Sequence, residues 1–315
     1  MFSKIFKKVP AALIVVPMIF ASLINSFIPQ ILQLGPTSSA IASSDGLNTL
    51  IEVTLVAVGS QLTIKRLKLA FSRGMVLFLS KFITSLVLGF LFISFFGNKG
   101  IFQISSLAFI AAISNQNNSI FIGLIEDYGD KFDRASAAIT AIISVPIFTF
   151  LTLSILGVAK ITPDSIVDLA LPLVVGVFLG NIDKGFCKFL GQSQKYILPF
   201  LGFSIGAGID LSTIIRGGFG GFILSILTVL SGFFLSLPAD IFINKRPGWA
   251  GLSIYTAAGN AIIVPALVAD LDPRWQGVKE LAQAQLGTVV ILSTILVPIV
   301  VAIWNKKRGI GKNNK

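Results

Sequence analysis

Histidine is missing from the 315-residue sequence, and cysteine occurs once, at Cys187. The lack of histidine excludes catalytic triads, proton relays and metal sites that depend on an imidazole. A single cysteine excludes an internal disulfide bond. Charged residues make up 12% of the chain, against about a quarter in soluble domains. Hydrophobic residues make up 54% and the mean hydropathy is +0.87, so the composition predicts a polytopic helical membrane protein.

Motifs of membrane-embedded enzymes and of nucleotide-driven pumps are also missing. No DxxxD metal motif lies within an apolar stretch, and no GxxxxGK[ST] phosphate-binding loop occurs in the sequence. The net charge of +11 is explained by lysine and arginine collecting in cytoplasmic loops, as is usual in membrane proteins. We therefore predict no enzyme activity, no cofactor and no nucleic-acid partner.

Apolar stretches of membrane-spanning length recur along the whole chain. The first begins as a signal peptide does, but it runs from Val9 to Phe27 without a clear cleavage motif, which favours an uncleaved helix. We predict ten spans, at 9–28, 47–64, 74–96, 101–125, 135–157, 165–181, 196–214, 217–240, 248–270 and 281–304.

The basic residues test the direction of these spans. With the N-terminus in the cytoplasm, the inner segments hold 19 of the 25 lysines and arginines, and the outer segments hold five. The remaining one, Lys81, lies within span 3. This bias predicts that both termini are cytoplasmic.

Short sequence blocks are repeated in the same order, roughly 145–150 residues apart. GSQLT at the end of span 2 matches GIDLS at the end of span 7, and AAISNQNNS in span 4 matches YTAAGNAIIVP in span 9. Spans 5 and 10 both carry a proline near their ends, in SVPIF and LVPIV. Because five spans are an odd number, the second copy enters the membrane from the opposite side. We therefore predict two inverted five-helix repeats, 1–160 and 161–315, forming one transport unit.

Span 4 contains six consecutive polar residues, which cannot all face one side of a regular helix. One or two buried amides would be explained as hydrogen bonds between helices. The longer run favours a helix broken inside the membrane, with side chains lining a polar cavity. Span 9 shows a similar pattern of glycine, asparagine and proline. The residues predicted to line the cavity are Ser114, Asn115, Gln116, Asn117, Asn118, Ser119, Gly259 and Asn260.

Other polar groups within the spans are candidates for ion coupling. Ser136, Thr140 and Ser144 recur every four residues, either as a hydroxyl stripe or as hydroxyls bonded to their own backbone. Gln285 lies near the outer end of span 10. Among the charged residues, Glu52 lies about a third of the way into span 2, unless a shift of that span brings it to the surface. Asp210 near the end of span 7 either caps a helix or couples to an ion, and Lys81 is most simply expected to extend its amine to the membrane surface.

Several blocks together resemble the bacterial 2-keto-3-deoxygluconate permeases. They are VPAALIVVPM, GSQL and GIDLS, LGNIDK, ILPFLGFSIGAGIDL and AAGNAIIVPALVAD, and the similarity runs from about Val9 to Trp304. The resemblance implies a transporter of the bacterial inner membrane that imports a small sugar-acid anion with protons. It also implies kinship with the bile-acid/sodium symporter superfamily. The fold implied is ten transmembrane helices in panel and core domains, with broken helices 4 and 9 crossing at the substrate site.

The resemblance also implies acidic residues at the positions held here by Ser114 and Ile143. Without them, coupling uses H⁺ through Glu52 or Asp210, or Na⁺ held by amide and carbonyl oxygens, or is missing. Substrate would bind to the polar residues of spans 4 and 9, with helix N-termini at the breaks facing its carboxylate. A four-helix core of spans 4, 5, 9 and 10 would move against the panel. The alternatives are a sodium-coupled carrier of another organic anion, an intramembrane enzyme and a passive channel.

Overall fold

The structure, a computed structural model, describes residues 12–62, 67–160 and 162–310. Over these ranges the chain is helical and has no β-strand apart from an isolated bridge between Ile101 and Ile104. The predicted all-helical class is confirmed.

The helices of the first half are numbered in chain order. They are α1 (Ala12–Phe27), α2 (Pro36–Ala42), α3 (Ser44–Ser60), α4 (Leu67–Phe96), α5 (Ser106–Ser114), α6 (Asn118–Tyr128), α7 (Lys131–Thr140) and α8 (Pro146–Ile155). Short 3₁₀ helices occur at Pro29–Gln33 and Ala141–Ser144. The second half contains α9 (Pro163–Ile182), α10 (Lys184–Ala207), α11 (Leu211–Phe234), α12 (Ser236–Phe242), α13 (Trp249–Ser253), α14 (Val264–Leu271) and α15 (Lys279–Lys307). Its 3₁₀ helices are Gly259–Ile263 and Pro273–Val278.

Three segments of the described chain have both the length and the apolar composition to cross a membrane. They are Arg73–Phe96, Leu211–Phe242 and Pro273–Lys307, and a bent pair, Pro36–Ala42 with Asp45–Ser60, adds a fourth if it is counted as one span. Shorter apolar helices include Leu13–Phe27, Pro146–Ile155, Ala170–Ile182 and Gly259–Leu271. These helices are those of a membrane protein, whereas the ten-span inverted repeat remains a prediction.

One group of helices consists of α1, α3, α9 and α10, which pack on one another through glycine. Gly206 of α10 faces α1 so closely that a Cβ atom there would lie 2.0 Å from the Met18 carbonyl oxygen. Gly180 of α9 faces α3 in the same way, with the Ser60 carbonyl oxygen 2.1 Å from an added Cβ. Glycine is needed at these positions because the two backbones touch, as is common between membrane helices.

The remaining long helices form a second group around α5, of which every residue is buried. In this group α4 packs along α7, α11 packs along α15, and α5 contacts α4, α8, α11, α14 and α15. The four-helix core predicted from spans 4, 5, 9 and 10 is therefore too small. Helices α4 and α11, which come from spans 3 and 8, belong to the same packed group.

A network of four charged residues joins this second group at one end. Asp133 of α7 lies 2.8 Å from the Arg73 guanidinium and 2.6 Å from that of Arg246. Asp130 contacts both arginines as well, at 2.9 and 3.6 Å. Partial burial would raise the pKa of Asp130, but the hydrogen bond from Arg73 and two backbone N–H groups outweigh it and hold that pKa below its ordinary value. The network links α4, the start of α7 and the loop after α12.

Replacing Gly206 with alanine should destabilise the protein by about 1–3 kcal/mol, because the new methyl group forces α1 and α10 apart. Thermal unfolding of the detergent-solubilised protein, followed by loss of the monodisperse peak, measures this effect. Gly218→Ala is the matched control, because an added Cβ at Gly218 in α11 meets no atom within 4 Å. Equal melting temperatures for the two variants would contradict the close approach.

Candidate functional site

The polar run of span 4 contains a break between two helices. Helix α5 ends at Ser114, the next three residues are not helical, and α6 begins at Asn118. Asn117 caps α6, since its Oδ1 accepts hydrogen bonds from the N–H groups of Ser119 (3.1 Å) and Ile120 (3.3 Å). Asparagine favours this break because its side chain satisfies the free N–H groups at a helix start.

Span 9 contains a second break. Helix α13 ends at Ser253, residues 254–258 are not helical, and the 3₁₀ helix Gly259–Ile263 leads into α14. Pro265 lies in the first turn of α14, where its missing N–H costs no helical hydrogen bond. No side chain caps the start of the 3₁₀ helix.

The two breaks are hydrogen-bonded to each other. The Asn117 N–H donates to the carbonyl oxygen of Thr256 (2.8 Å), and the N–H of Ala258 donates to the Asn115 Oδ1 atom (2.8 Å). Asn115 in turn donates from its Nδ2 to the Oδ1 of Asn260 (3.2 Å). Asn115 therefore connects two segments that are 145 residues apart in sequence.

Neighbouring elements supply further partners for this pair of breaks. Asn260 donates from Nδ2 to the carbonyl oxygen of Ser144 in the 3₁₀ helix before α8. Ser114 bonds through its hydroxyl to Thr149 of α8 (2.8 Å). The Ala257 N–H donates to the hydroxyl of Ser293 in α15 (2.9 Å). The breaks thus lie between α8 and α15 in the second helix group.

Some polar atoms at the breaks are buried and have no hydrogen-bond partner among the described residues. They are Nε2 and Oε1 of Gln116, Oδ1 of Asn118 and Oγ of Ser144. Leaving such a group unpaired costs about 1–3 kcal/mol, and buried polar groups without partners are uncommon in proteins. These atoms are free to bind polar groups of a ligand or ion.

The eight predicted cavity residues all lie at the two breaks, but they differ in exposure. Ser114, Asn115, Gln116 and Asn117 are buried, Asn118, Gly259 and Asn260 are partly exposed, and Ser119 is exposed. Asn115 and Asn260 are in direct contact. Their role in binding a substrate remains a prediction.

The hydroxyl stripe predicted for span 5 is not continuous. Ser136 and Thr140 donate to backbone carbonyls three residues earlier, at 2.7 and 3.4 Å. The α-helix ends at Thr140 and gives way to the 3₁₀ helix Ala141–Ser144, so the spacing of four residues no longer holds one face. Of the three, Ser144 has a hydroxyl without a hydrogen-bond partner among the described residues, and its carbonyl oxygen accepts a hydrogen bond from Asn260. The other predicted coupling residue, Gln285, forms no hydrogen bond with Ser144. Its Nε2 donates to the carbonyl oxygen of Gln103 (2.9 Å).

The two carboxylates predicted as coupling groups are both exposed. Glu52 lines a cleft of about 140 Å³ between α3, α9 and α14, together with Asp168 and Asp270. Asp210 caps α11 by accepting from the Ser212 N–H (2.8 Å). The cap interpretation of Asp210 holds, and a coupling role for either carboxylate remains a prediction.

Lys81 does not reach the membrane surface, and that expectation was wrong. Its side chain has 0% exposure, and the amine donates to the carbonyl oxygen of Ile254 (2.6 Å). The ammonium also lies 4.0 Å from the centre of the Tyr255 ring. Ile254 and Tyr255 belong to the second break, whose carbonyl and aromatic ring attract the amine inward. The sequence feature that pointed to an unusual role for Lys81 was a lysine within an otherwise apolar span.

Comparison with known proteins shows the family to which the chain belongs. Residues 3–310 match the family described as 2-keto-3-deoxygluconate permease. The chain belongs to the 2-keto-3-deoxygluconate permease family. A relative in Salmonella typhimurium, 2-keto-3-deoxygluconate permease 1, is 32% identical over 97% of this chain and 96% of its own. The 2-keto-3-deoxygluconate permease of Pectobacterium atrosepticum is 30% identical over 95% of this chain and 96% of its own.

A third relative, from Xanthomonas axonopodis pv. citri, carries the same permease name and is 28% identical over 96% of each chain. The family resemblance inferred from the sequence blocks is confirmed. Family membership also places the protein among transporters rather than enzymes.

Proposed function

We propose that this permease-family protein imports 2-keto-3-deoxygluconate with protons across the bacterial inner membrane. Ten spans would form two inverted repeats, 1–160 and 161–315, with both termini in the cytoplasm and no cofactor. The full-length similarity to proteins named for this substrate supports the proposal. The charge bias and the repeated sequence blocks support the topology.

The observation that carries the proposal is the hydrogen-bonded pair of breaks. Each repeat supplies one interrupted helix, and the two interruptions meet at Asn115 and Asn260. Broken helices of inverted repeats form the substrate sites of several transporter folds. The free amide atoms of Gln116 and Asn118 suit a substrate with several hydroxyl groups. Its carboxylate would bind near the helix N-terminus that follows Asn117.

The two helix groups provide a basis for alternating access. The cleft beside Glu52 lies where α3 and α9 of the first group meet α14 of the second. By the predicted topology, this cleft opens to the outside. Movement of the second group against the first would carry the paired breaks from one side of the membrane to the other. Glu52, Asp168 and Asp270 would attract the coupling cation to the cleft.

Sodium coupling, with the same or another organic anion as substrate, is the second candidate. It is favoured by the oxygen atoms that lack hydrogen-bond partners, namely Oε1 of Gln116, Oδ1 of Asn118 and Oγ of Ser144. Neutral oxygens of this kind are ordinary ligands of hard cations. The backbone carbonyls freed at the breaks would complete such a site.

Uptake of labelled 2-keto-3-deoxygluconate into proteoliposomes distinguishes these functions. We expect accumulation above the outside concentration under an inward proton gradient, and simple equilibration without a gradient. An inward sodium gradient at equal pH on both sides provides the comparison. Accumulation that requires sodium would replace proton symport with the second candidate. A protein that neither accumulates nor exchanges this substrate would remove the substrate assignment.

A further inference from the structure

Lys81 is a buried basic group in the middle of an apolar helix. It lies in the segment Arg73–Phe96, one of the three long enough to span a membrane alone. Its exposure is 0%, and its amine has two close neighbours, the Ile254 carbonyl oxygen (2.6 Å) and the Tyr255 ring (4.0 Å). A neutral amine and an ammonium can each donate to that carbonyl. The surroundings of Lys81 therefore accept both protonation states.

No carboxylate of the described residues lies within ion-pair distance of Lys81. A lysine charge that is buried without a counter-ion is costly. Contact with an aromatic ring offsets part of this cost. Charged side chains inside membrane spans are rare and mark ion or substrate pathways.

The elements packed around α4 carry other charged or titratable groups. They are Lys131, Asp133 and Arg134 on α7, Arg216 on α11, Asp240 on α12 and Tyr255 in the second break. Asp133 is paired with Arg73 and Arg246, and Asp240 accepts from Asn244 through Oδ1 (3.0 Å), while its Oδ2 has no hydrogen-bond partner among the described residues. The hydroxyl of Tyr255 is bonded to that of Ser236 (3.0 Å). Helices α5 and α8 carry no charged residue.

Helix α4 places this amine next to the proposed substrate site. Lys81 contacts Ile254, two residues before the Thr256 carbonyl that accepts the Asn117 N–H. One turn further along α4, Ser85 donates to the carbonyl of Ile113 (3.4 Å), just before the first break. The side chains on the breaks themselves are neutral amides, hydroxyls, apolar groups and the phenol of Tyr255. An anion at the breaks would therefore have Lys81 as a nearby positive charge.

We propose that Lys81 is the group that carries the proton in substrate–proton symport. This inference rests on the transport function proposed above and assigns its coupling step to a residue outside the paired breaks. In the outward-open state, the neutral amine takes up a proton from the outside as the anion binds. In the inward-open state, the anion leaves and the ammonium releases its proton to the cytoplasm. One proton and one monovalent anion move inward, and the amine returns to its neutral form.

The coupling follows from reciprocal binding. An ammonium attracts the substrate anion, so the anion must strengthen proton binding at Lys81 by the same factor. When the anion leaves, the cost of a buried charge again favours the neutral amine. The substrate affinity should therefore rise as the pH falls, and this dependence should vanish when residue 81 cannot change its charge.

Two transport modes of reconstituted protein test the role of Lys81. Lys81→Gln should lose accumulation of labelled 2-keto-3-deoxygluconate under an inward proton gradient, reaching only the outside concentration. At saturating substrate it should retain exchange of labelled for unlabelled substrate within a few-fold of the wild-type rate, because exchange does not require proton release. Lys81→Arg, which keeps a permanent charge and the hydrogen bond to Ile254, should behave in the same way. If Lys81→Gln does not fold, the Lys81→Arg variant provides the same test.

The matched control is Lys99→Gln, which removes the same charge from an exposed site after α4. It should accumulate substrate as the wild type does. A second measurement uses a pH indicator with the solubilised protein, and about one proton should be taken up per substrate bound by the wild type. Lys81→Arg should take up none.

Normal proton-driven accumulation by a folded Lys81→Gln or Lys81→Arg protein would overturn the assignment. Equal loss of accumulation and exchange in both variants would also overturn it and make Lys81 a binding or structural residue. If the wild type exchanges substrate but ignores a proton gradient, the inference fails while transport stands. If the wild type does not exchange 2-keto-3-deoxygluconate at all, the proposed function itself fails.

Discussion

Replacing Asn115 with alanine should lower the initial rate of substrate uptake by about 100-fold. The change removes the acceptor of the Ala258 N–H and the donor to Asn260, at the contact between the two breaks. Each partner left unpaired costs about 1–3 kcal/mol, and tenfold corresponds to about 1.4 kcal/mol. The rate is measured in proteoliposomes with equal amounts of reconstituted protein.

A matched control for Asn115 is Gln276→Ala. Gln276 also uses its amide to bond a backbone carbonyl, that of Ala269 (3.0 Å), but it is exposed and lies in the 3₁₀ helix Pro273–Val278, outside both breaks. Its variant should transport normally. The double variant Asn115→Ala, Asn260→Ala should lower uptake by less than the product of the two single effects, because the two residues share one of their contacts. Wild-type uptake by Asn115→Ala would show that the paired breaks do not form the transport site.

Replacing Asp133 with asparagine should reduce the free energy of unfolding by about 3 kcal/mol. Asp133 is buried and accepts from Arg73, Arg246 and the Asp130 N–H. Asparagine keeps the shape but removes the negative charge, so the two guanidinium groups keep only Asp130 as a common carboxylate partner. Thermal unfolding in detergent, at fixed lipid and salt concentrations, would measure the loss.

The control for Asp133 is Asp164→Asn. Asp164 is exposed in the first turn of α9 and lies outside the arginine network. Its replacement should change the unfolding temperature little, because exposed charges contribute little to stability. If Asp133→Asn unfolds at the same temperature as Asp164→Asn, the network does not stabilise the second helix group.

The main breaks could be predicted from the sequence because their signals are local. Six adjacent polar residues cannot form one face of a helix, and the run from Ser114 to Ser119 indeed interrupts it between Ser114 and Asn118. Gly259 and Pro265 marked the second interruption in the same way. Composition and hydropathy were enough to predict the all-helical class. Family membership followed from blocks of small and apolar residues spread over the chain.

What could not be predicted depends on which residues meet in space. The pairing of Asn115 with Asn260 joins segments 145 residues apart, and no local pattern specifies it. The position of the Lys81 amine was predicted wrongly because hydropathy describes a whole span and not the direction of one side chain. The amine lies inward because the Ile254 carbonyl and the Tyr255 ring are there to receive it. Of the two explanations for the span 5 hydroxyls, bonding to their own backbone is the one observed at Ser136 and Thr140. The 3₁₀ helix Ala141–Ser144 interrupts the helical spacing that a continuous stripe would need.

Helix α4 touches both breaks from one side. Its Lys81 bonds to Ile254 at the start of the second break, and its Ser85 bonds to Ile113 before the first. The two side chains are four residues apart on one continuous helix, so their separation is set by the helix pitch. A shift of one break relative to the other would stretch one of these bonds. Helix α4 therefore holds the two breaks at a fixed spacing, and we expect them to move as one unit in the proposed transport cycle.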